Sequence, residues 1–192
     1  MVLGAFLLAP GWLAAHPLLE DSCWVVVTRD KLMVRVTATL REIIVAQALQ
    51  PDEKHGLDLT ALRAACEPHG EYVRSHLHLQ ADGRELKGRV LQFKLPVIQG
   101  VGTNDDLMVA ADLFSVTYDL EFPLESAAAT PQIIFRHEML KEFNYAHGTA
   151  WDVTYALQIK RTDEKQTDRA KIKTGMIFNW PLSATNQTAA AP

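Results

Sequence analysis

The stretch at residues 113–122, LFSVTYDLEF, constrains this chain more than any other. Phe114, Val116, Tyr118, Leu120 and Phe122 fall on one side of a period-two pattern, and Ser115, Thr117, Asp119 and Glu121 on the other. Side chains alternate across a strand, so such a segment buries one face and wets the other. Leu32, Val34, Val36 and Ala38 repeat the pattern, as do Trp151, Val153, Tyr155, Leu157 and Ile159. A chain of this kind buries several such faces against one another.

Around this strand the order of elements follows from local signals. The apolar run 22–28 and the run 32–40 are separated by Arg29-Asp30-Lys31, which reads as a hairpin. Residues 41–49 change to a helical period. From Asp58, a plausible N-cap, Leu59, Leu62, Ala65, Cys66, His69, Tyr72 and Val73 follow helical spacing to Leu77, with Pro68 expected to kink or split the helix. A strand begins at Leu77, and Ala81-Asp82-Gly83-Arg84 turns it into a returning strand with Leu91, Phe93 and Leu95 inward. Residues 99–106 form a Gly-containing loop, and a last strand is expected over 170–180. The expected fold is mainly β: an immunoglobulin-like antiparallel β-sandwich with one helical excursion near 58–77. An open antiparallel sheet backed by a helix is the alternative.

Residues 1–15, MVLGAFLLAPGWLAA, are almost continuously apolar and too short to span a bilayer comfortably. They fit a secretory signal ending in small residues, although no Lys or Arg precedes the run. This predicts a periplasmic or secreted protein, with a domain at 16–182 and a disordered small-residue tail at 183–192. An oxidising compartment would permit a disulfide between the only two cysteines, Cys23 and Cys66, worth on the order of 3–4 kcal/mol. Two separate buried thiols are the alternative. Net charge is −4 with Lys and Arg scattered along the chain, which argues against nucleic-acid binding. No transmembrane segment is expected in the mature chain.

Catalytic signatures are absent: there is no G-x-S-x-G, no phosphate-cradling Gly-rich loop, no H-E-x-x-H and no C-x-x-C. Histidine carries the remaining chemistry. Cleavage after Ala15 would leave His16 as a free N-terminus whose amine and imidazole suit copper or nickel. His76 and His78 are spaced to share one strand face and grip the same ion, with His137 and His147 as further ligands and Asp152 or Glu138 supplying oxygen. The competing reading leaves His76 and His78 solvated and tucks His137 beside Phe135 with its nitrogens bonded to backbone. Phe143, Tyr145 and Trp151 either form a recognition loop or close one end of the sandwich.

The AHPL start, the strand pair, the helix ending in YVRSHLHL and the QADGRELKGR turn together resemble the extracytoplasmic N-terminal domain of HupE/UreJ-type membrane proteins, over roughly 16–123. That resemblance implies an exported, sandwich-like domain associated with nickel or cobalt handling. The sequence departs from the family after Trp180, where no hydrophobic span follows. The expected function is a non-enzymatic accessory domain that docks to a membrane or periplasmic partner; the alternative is a periplasmic copper- or nickel-binding protein.

Overall fold

Two apolar runs fold back on each other across residues 28–30, where the Thr28 hydroxyl accepts the Lys31 N–H at 3.1 Å and closes the turn. The computed structural model describes residues 19–50, 57–96, 108–109, 115–125, 131–143 and 153–181. The leader at 1–15, His16, the loop at 99–106, Tyr145, His147, Trp151, Asp152 and the tail at 183–192 lie outside these residues.

In chain order the elements are β1 (Leu19–Val27), β2 (Lys31–Thr39), α1 (Leu40–Ala46), β3 (Leu57–Asp58), α2 (Leu59–His76), β4 (Leu77–Ala81) and β5 (Arg84–Glu85). There follow β6 (Arg89–Lys94), β7 (Met108–Val109), β8 (Ser115–Pro123), β9 (Ile133–His137), β10 (Val153–Arg161), β11 (Asp168–Lys173) and β12 (Ile177–Trp180). One sheet of six strands runs β11-β10-β1-β2-β8-β6, a second of four runs β12-β9-β4-β5, and β3 pairs with β7 as a short ribbon. The fold is mainly β and sandwich-like, with two helices. One departure from an all-antiparallel sandwich is plain: β1 and β10 pair in parallel, from Leu19 opposite Val153 to Val27 opposite Arg161.

The alternation read from the sequence sets the core. Leu32, Val34, Val36 and Ala38 on β2 face inward beside Val116, Tyr118, Leu120 and Phe122 on β8, and each is almost fully buried. Leu79, Ile133, Phe135 and Trp180 close the same apolar core from the second sheet. Each fully buried large aliphatic or aromatic side chain contributes roughly 1.5–3 kcal/mol over an exposed one.

Helix α2 is continuous through Pro68, whose missing N–H deprives the Ala64 carbonyl of its usual partner. Its buried residues, Leu62, Ala65, Cys66, His69, Gly70 and Val73, form one stripe, and the Asp58 side chain caps it by accepting the Thr60 N–H at 3.2 Å. The stripe lies against β6 and β8. A Cβ at Gly70 would meet the Tyr118 ring and a Val90 methyl at 3.3 Å, so this glycine lets the helix approach closely.

Two strand expectations are corrected. β6 carries a bulge between Val90 and Gln92, so Val90 and Phe93 turn toward the core while Leu91 is expelled to the surface at 43% exposure. The single last strand expected at 170–180 is two strands in different sheets. Gly175, at φ +79, breaks the path, and its N–H bonds to the His137 carbonyl at 2.8 Å as the chain changes sheets. Among the described residues, no helix is long and apolar enough to cross a membrane.

Gly88 gives a direct test of the packing. A Cβ there would run into the Phe122 ring, which is itself buried. Gly88→Ala is expected to destabilise the domain by about 1–3 kcal/mol, read as a lower denaturant midpoint at unchanged slope.

Candidate functional site

Of the histidines expected to meet at a metal, the described ones, His76, His78 and His137, are not brought together, and His16 and His147 lie outside the described residues. His76 is the last residue of α2, not part of a strand face. Its Nδ1 lies 2.8 Å from the Tyr72 carbonyl and its Nε2 3.5 Å from Glu142. His78 lies on β4 with its side chain on the outer side, Nδ1 3.3 Å from Glu85 and Nε2 3.6 Å from Glu138. His137, on β9, faces the opposite way, because it pairs with buried Leu77 while His78 pairs with Arg136. Its Nε2–H donates to the Ile172 carbonyl at 3.0 Å and its ring sits 4.7 Å from Tyr155, so its role is structural. Burial lowers its pKa to about 4 and keeps it neutral. Among the described residues no group of three His, Cys, Asp or Glu side chains is placed to hold a metal ion.

The bridge between Cys23 and Cys66 is likewise not formed; both are free, buried thiols. Cys23 packs in the core on β1, where burial pushes its thiol pKa up. Cys66 lies on the α2 stripe, and burial raises its pKa as well.

The structure assembles a polar centre that spacing did not announce. Helix α1 starts where β2 ends, and the Thr39 hydroxyl caps it by accepting the Glu42 N–H. This turns Glu42 inward, where it is 0% exposed. Its Oε2 accepts the Tyr155 hydroxyl at 2.9 Å, and it lies near the carboxyl of Asp21 on β1. Asp21 Oδ1 accepts the Thr39 N–H at 2.6 Å. Asp21 Oδ2 and Glu42 Oε1 are buried without a hydrogen-bond partner, and burial raises the pKa of both carboxyls.

His69 completes this centre. Its Nε2 is 3.2 Å from Glu42 Oε1 but misaligned for a hydrogen bond, and its ring packs between Tyr72 and Tyr118 at 5.4 and 5.5 Å. Burial lowers its pKa to about 4, so it is neutral and the contact is not an ion pair. Asp21, pushed up to about 9 chiefly by burial and then by Glu42, keeps its proton at neutral pH. With Asp21, Glu42 and His69 each at most 3% exposed, no substrate reaches the cluster; it ties β1, α1, α2 and β10 together.

The accessible chemistry lies on the outer face of the six-stranded sheet. The residues opposite the core on β2, β8 and β6 pair across strands. Arg35 grips Asp119 in a fork, Nε to Oδ1 at 2.7 Å and Nη2 to Oδ2 at 3.3 Å, while Gln92 Nε2 donates to Oδ2 at 2.8 Å. Lys94 stands 3.8 Å from the same carboxylate. Lys31 and Arg89 hold Glu121 at 2.8 and 2.9 Å. These bonds, led by Arg35 for Asp119 and Lys31 for Glu121, hold both carboxyl pKa values below the ordinary range. Beside them a groove of about 320 Å³ is lined by Trp24, Val26, Met33 and Leu91, with Arg35, Gln92 and Asp119 at its edge. Trp24 is 45% exposed, and Lys160 stands 5.7 Å above its ring.

Sequence reasoning missed this surface because its cations are dispersed. Lys31, Arg35, Arg89, Lys94 and Lys160 sit on three strands, and only the sheet brings them together. The one legible signal was the alternation itself, which placed Asp119 and Glu121 on the face opposite the core.

Two measurements check these assignments. In the native chain both thiols are expected to resist a thiol reagent and to react only on unfolding, with a melting temperature unaffected by reductant. Stability should also depend on pH in a definite sense. Between its ordinary 3.8 and about 9, Asp21 binds its proton more tightly folded than unfolded, so stability falls as pH rises, by about 1.4 kcal/mol per unit per proton. Between about 4 and 6.5, His69 and His137 act oppositely, because only the unfolded form takes up their protons. The histidines outweigh the Asp21 slope below about 6.5, and above it the Asp21 decline remains. Denaturation series from acid to pH 9 should show that decline, and Asp21→Asn should flatten it.

No family model matches this chain, and no curated protein matches it.

Proposed function

We propose that this chain is an exported, non-enzymatic binding domain that docks to a membrane or periplasmic protein through the outer face of its six-stranded sheet. One observation carries the reading. On a face otherwise built of paired charges, Trp24 and Leu91 stand about half exposed around an apolar groove. An exposed aromatic beside a flexible apolar side chain, rimmed by polar groups, has the composition of an interface centre. The expulsion of Leu91 by the β6 bulge is the kind of local device that re-aims a side chain toward a partner. The resemblance of residues 16–123 to an extracytoplasmic HupE/UreJ-type domain points toward the same setting, a domain working beside a membrane protein.

An enzymatic reading has no residue set in its favour. The buried Asp21–Glu42–His69 centre lacks access, and the exposed carboxylates are engaged by cations. The metal reading is left with His16, His147 and Asp152, which lie outside the described residues.

The test places a photoreactive phenylalanine analogue at Leu91 in cells of the source and, as a control, at Glu67 on the exposed side of α2. A discrete protein adduct from Leu91 that disappears with Trp24→Ala and is absent from Glu67 supports the proposal. Adducts indifferent to Trp24→Ala, or equal at both positions, refute it. N-terminal sequencing of the same chain should read His16 first if it is exported.

A further inference from the structure

Resting on the docking reading above, we infer that the occupant of this face is an acidic, extended protein segment that inserts one apolar side chain beside Trp24. Charge complementarity carries the inference. The whole chain has net charge −4. Yet the face that holds the groove carries the five cations Lys31, Arg35, Arg89, Lys94 and Lys160 against the carboxylates of Asp119 and Glu121 on the sheet and Asp30 at the turn. The face is therefore locally positive on a negative molecule. Its cations remain open to a second partner: the side chains of Arg35, Arg89 and Lys94 are 54%, 70% and 57% exposed despite their contacts. The two sheet carboxylates are 12% and 13% exposed and cannot answer for all of that charge.

The groove selects among polyanions. Its volume, about 320 Å³, is at the small end of ligand sites and admits a large apolar side chain rather than a stack of bases. Gln92, whose Nε2 is held by Asp119, leaves its side-chain carbonyl at the groove to accept a backbone N–H. A peptide supplies N–H donors, carboxylates for the rim and an apolar side chain for the centre. A nucleic acid backbone supplies no such donors, and an anionic bilayer presents no single side chain to enter the groove.

The experiment uses the full chain and a labelled short synthetic peptide in which Phe is flanked on both sides by Asp and Glu. Comparison probes are the same peptide with Ala for Phe, one with Lys for every acid, a single-stranded oligonucleotide and vesicles of anionic phospholipid. The acidic Phe peptide is expected to bind best, and replacing its Phe by Ala, or Trp24→Ala in the protein, should weaken it about tenfold. Added salt should weaken it further. Because Trp24 is exposed, the melting temperature of the variant should be unchanged. The pair Arg89→Glu with Lys94→Glu provides a second route and should shift preference toward the Lys peptide. No binding of the acidic peptide, equal binding of the Lys peptide, or tighter binding of the oligonucleotide or the vesicles overturns the inference. A Trp24-dependent adduct at Leu91 together with any of those results leaves docking intact and removes only the acidic partner. Loss of both removes the docking reading as well.

Discussion

The pairing of β2 with β8 governs this structure. Nine residues face nine in register, from Lys31 opposite Pro123 to Thr39 opposite Ser115. Because the side-chain period is two, that register puts Val34 with Leu120 and Val36 with Tyr118 inside, and Arg35 with Asp119 and Met33 with Glu121 outside. A slip of one residue would bury the ion pairs and expose the core, so one choice fixes both faces. The charged row has little to do with stability, since exposed pairs of this kind contribute only about 0–1 kcal/mol. Its importance is that it constructs a surface.

The interior holds a second constraint of a different kind. The Thr39 amide bonds to Asp21 and the Tyr155 hydroxyl to Glu42 in a region otherwise filled by Val, Leu and Phe. Removing any one member would strand another without a partner, which costs more than the bond contributes. The centre therefore specifies where α1 leaves β2 and how β10 lies beside β1. It does so with acids whose pKa burial raises rather than with an ion pair. His69, between Tyr72 and Tyr118, links the same centre to α2.

The parts legible in the sequence were those set by local period. The hairpin of β1 and β2, the α1 turn, the cap at Asp58 and the inward row of β8 all follow from spacing within a dozen residues. What escaped was set by distant partners. The parallel contact of β1 with β10 joins segments at opposite ends of the chain, and nothing in either strand's pattern distinguishes parallel from antiparallel neighbours. The Leu91 bulge was invisible because an extra residue leaves the composition of β6 unchanged. His76 and His78 looked like one face because the helix-to-strand boundary falls between them, at Leu77. Asp21 and Glu42 carried no signal in the sequence, because only the sheet and the α1 cap turn both inward.

The Leu91 bulge also bears on how this domain avoids its own kind. β6 is the edge of the six-stranded sheet, where unpaired backbone groups would invite a neighbouring copy to add a strand. The extra residue bends that edge, and Arg89 and Lys94 at its two ends carry like charge. A second molecule approaching edge to edge meets a crooked, cationic border. Assembly through continuous sheet is thereby discouraged, while the flat side of the same strands stays free for a different visitor.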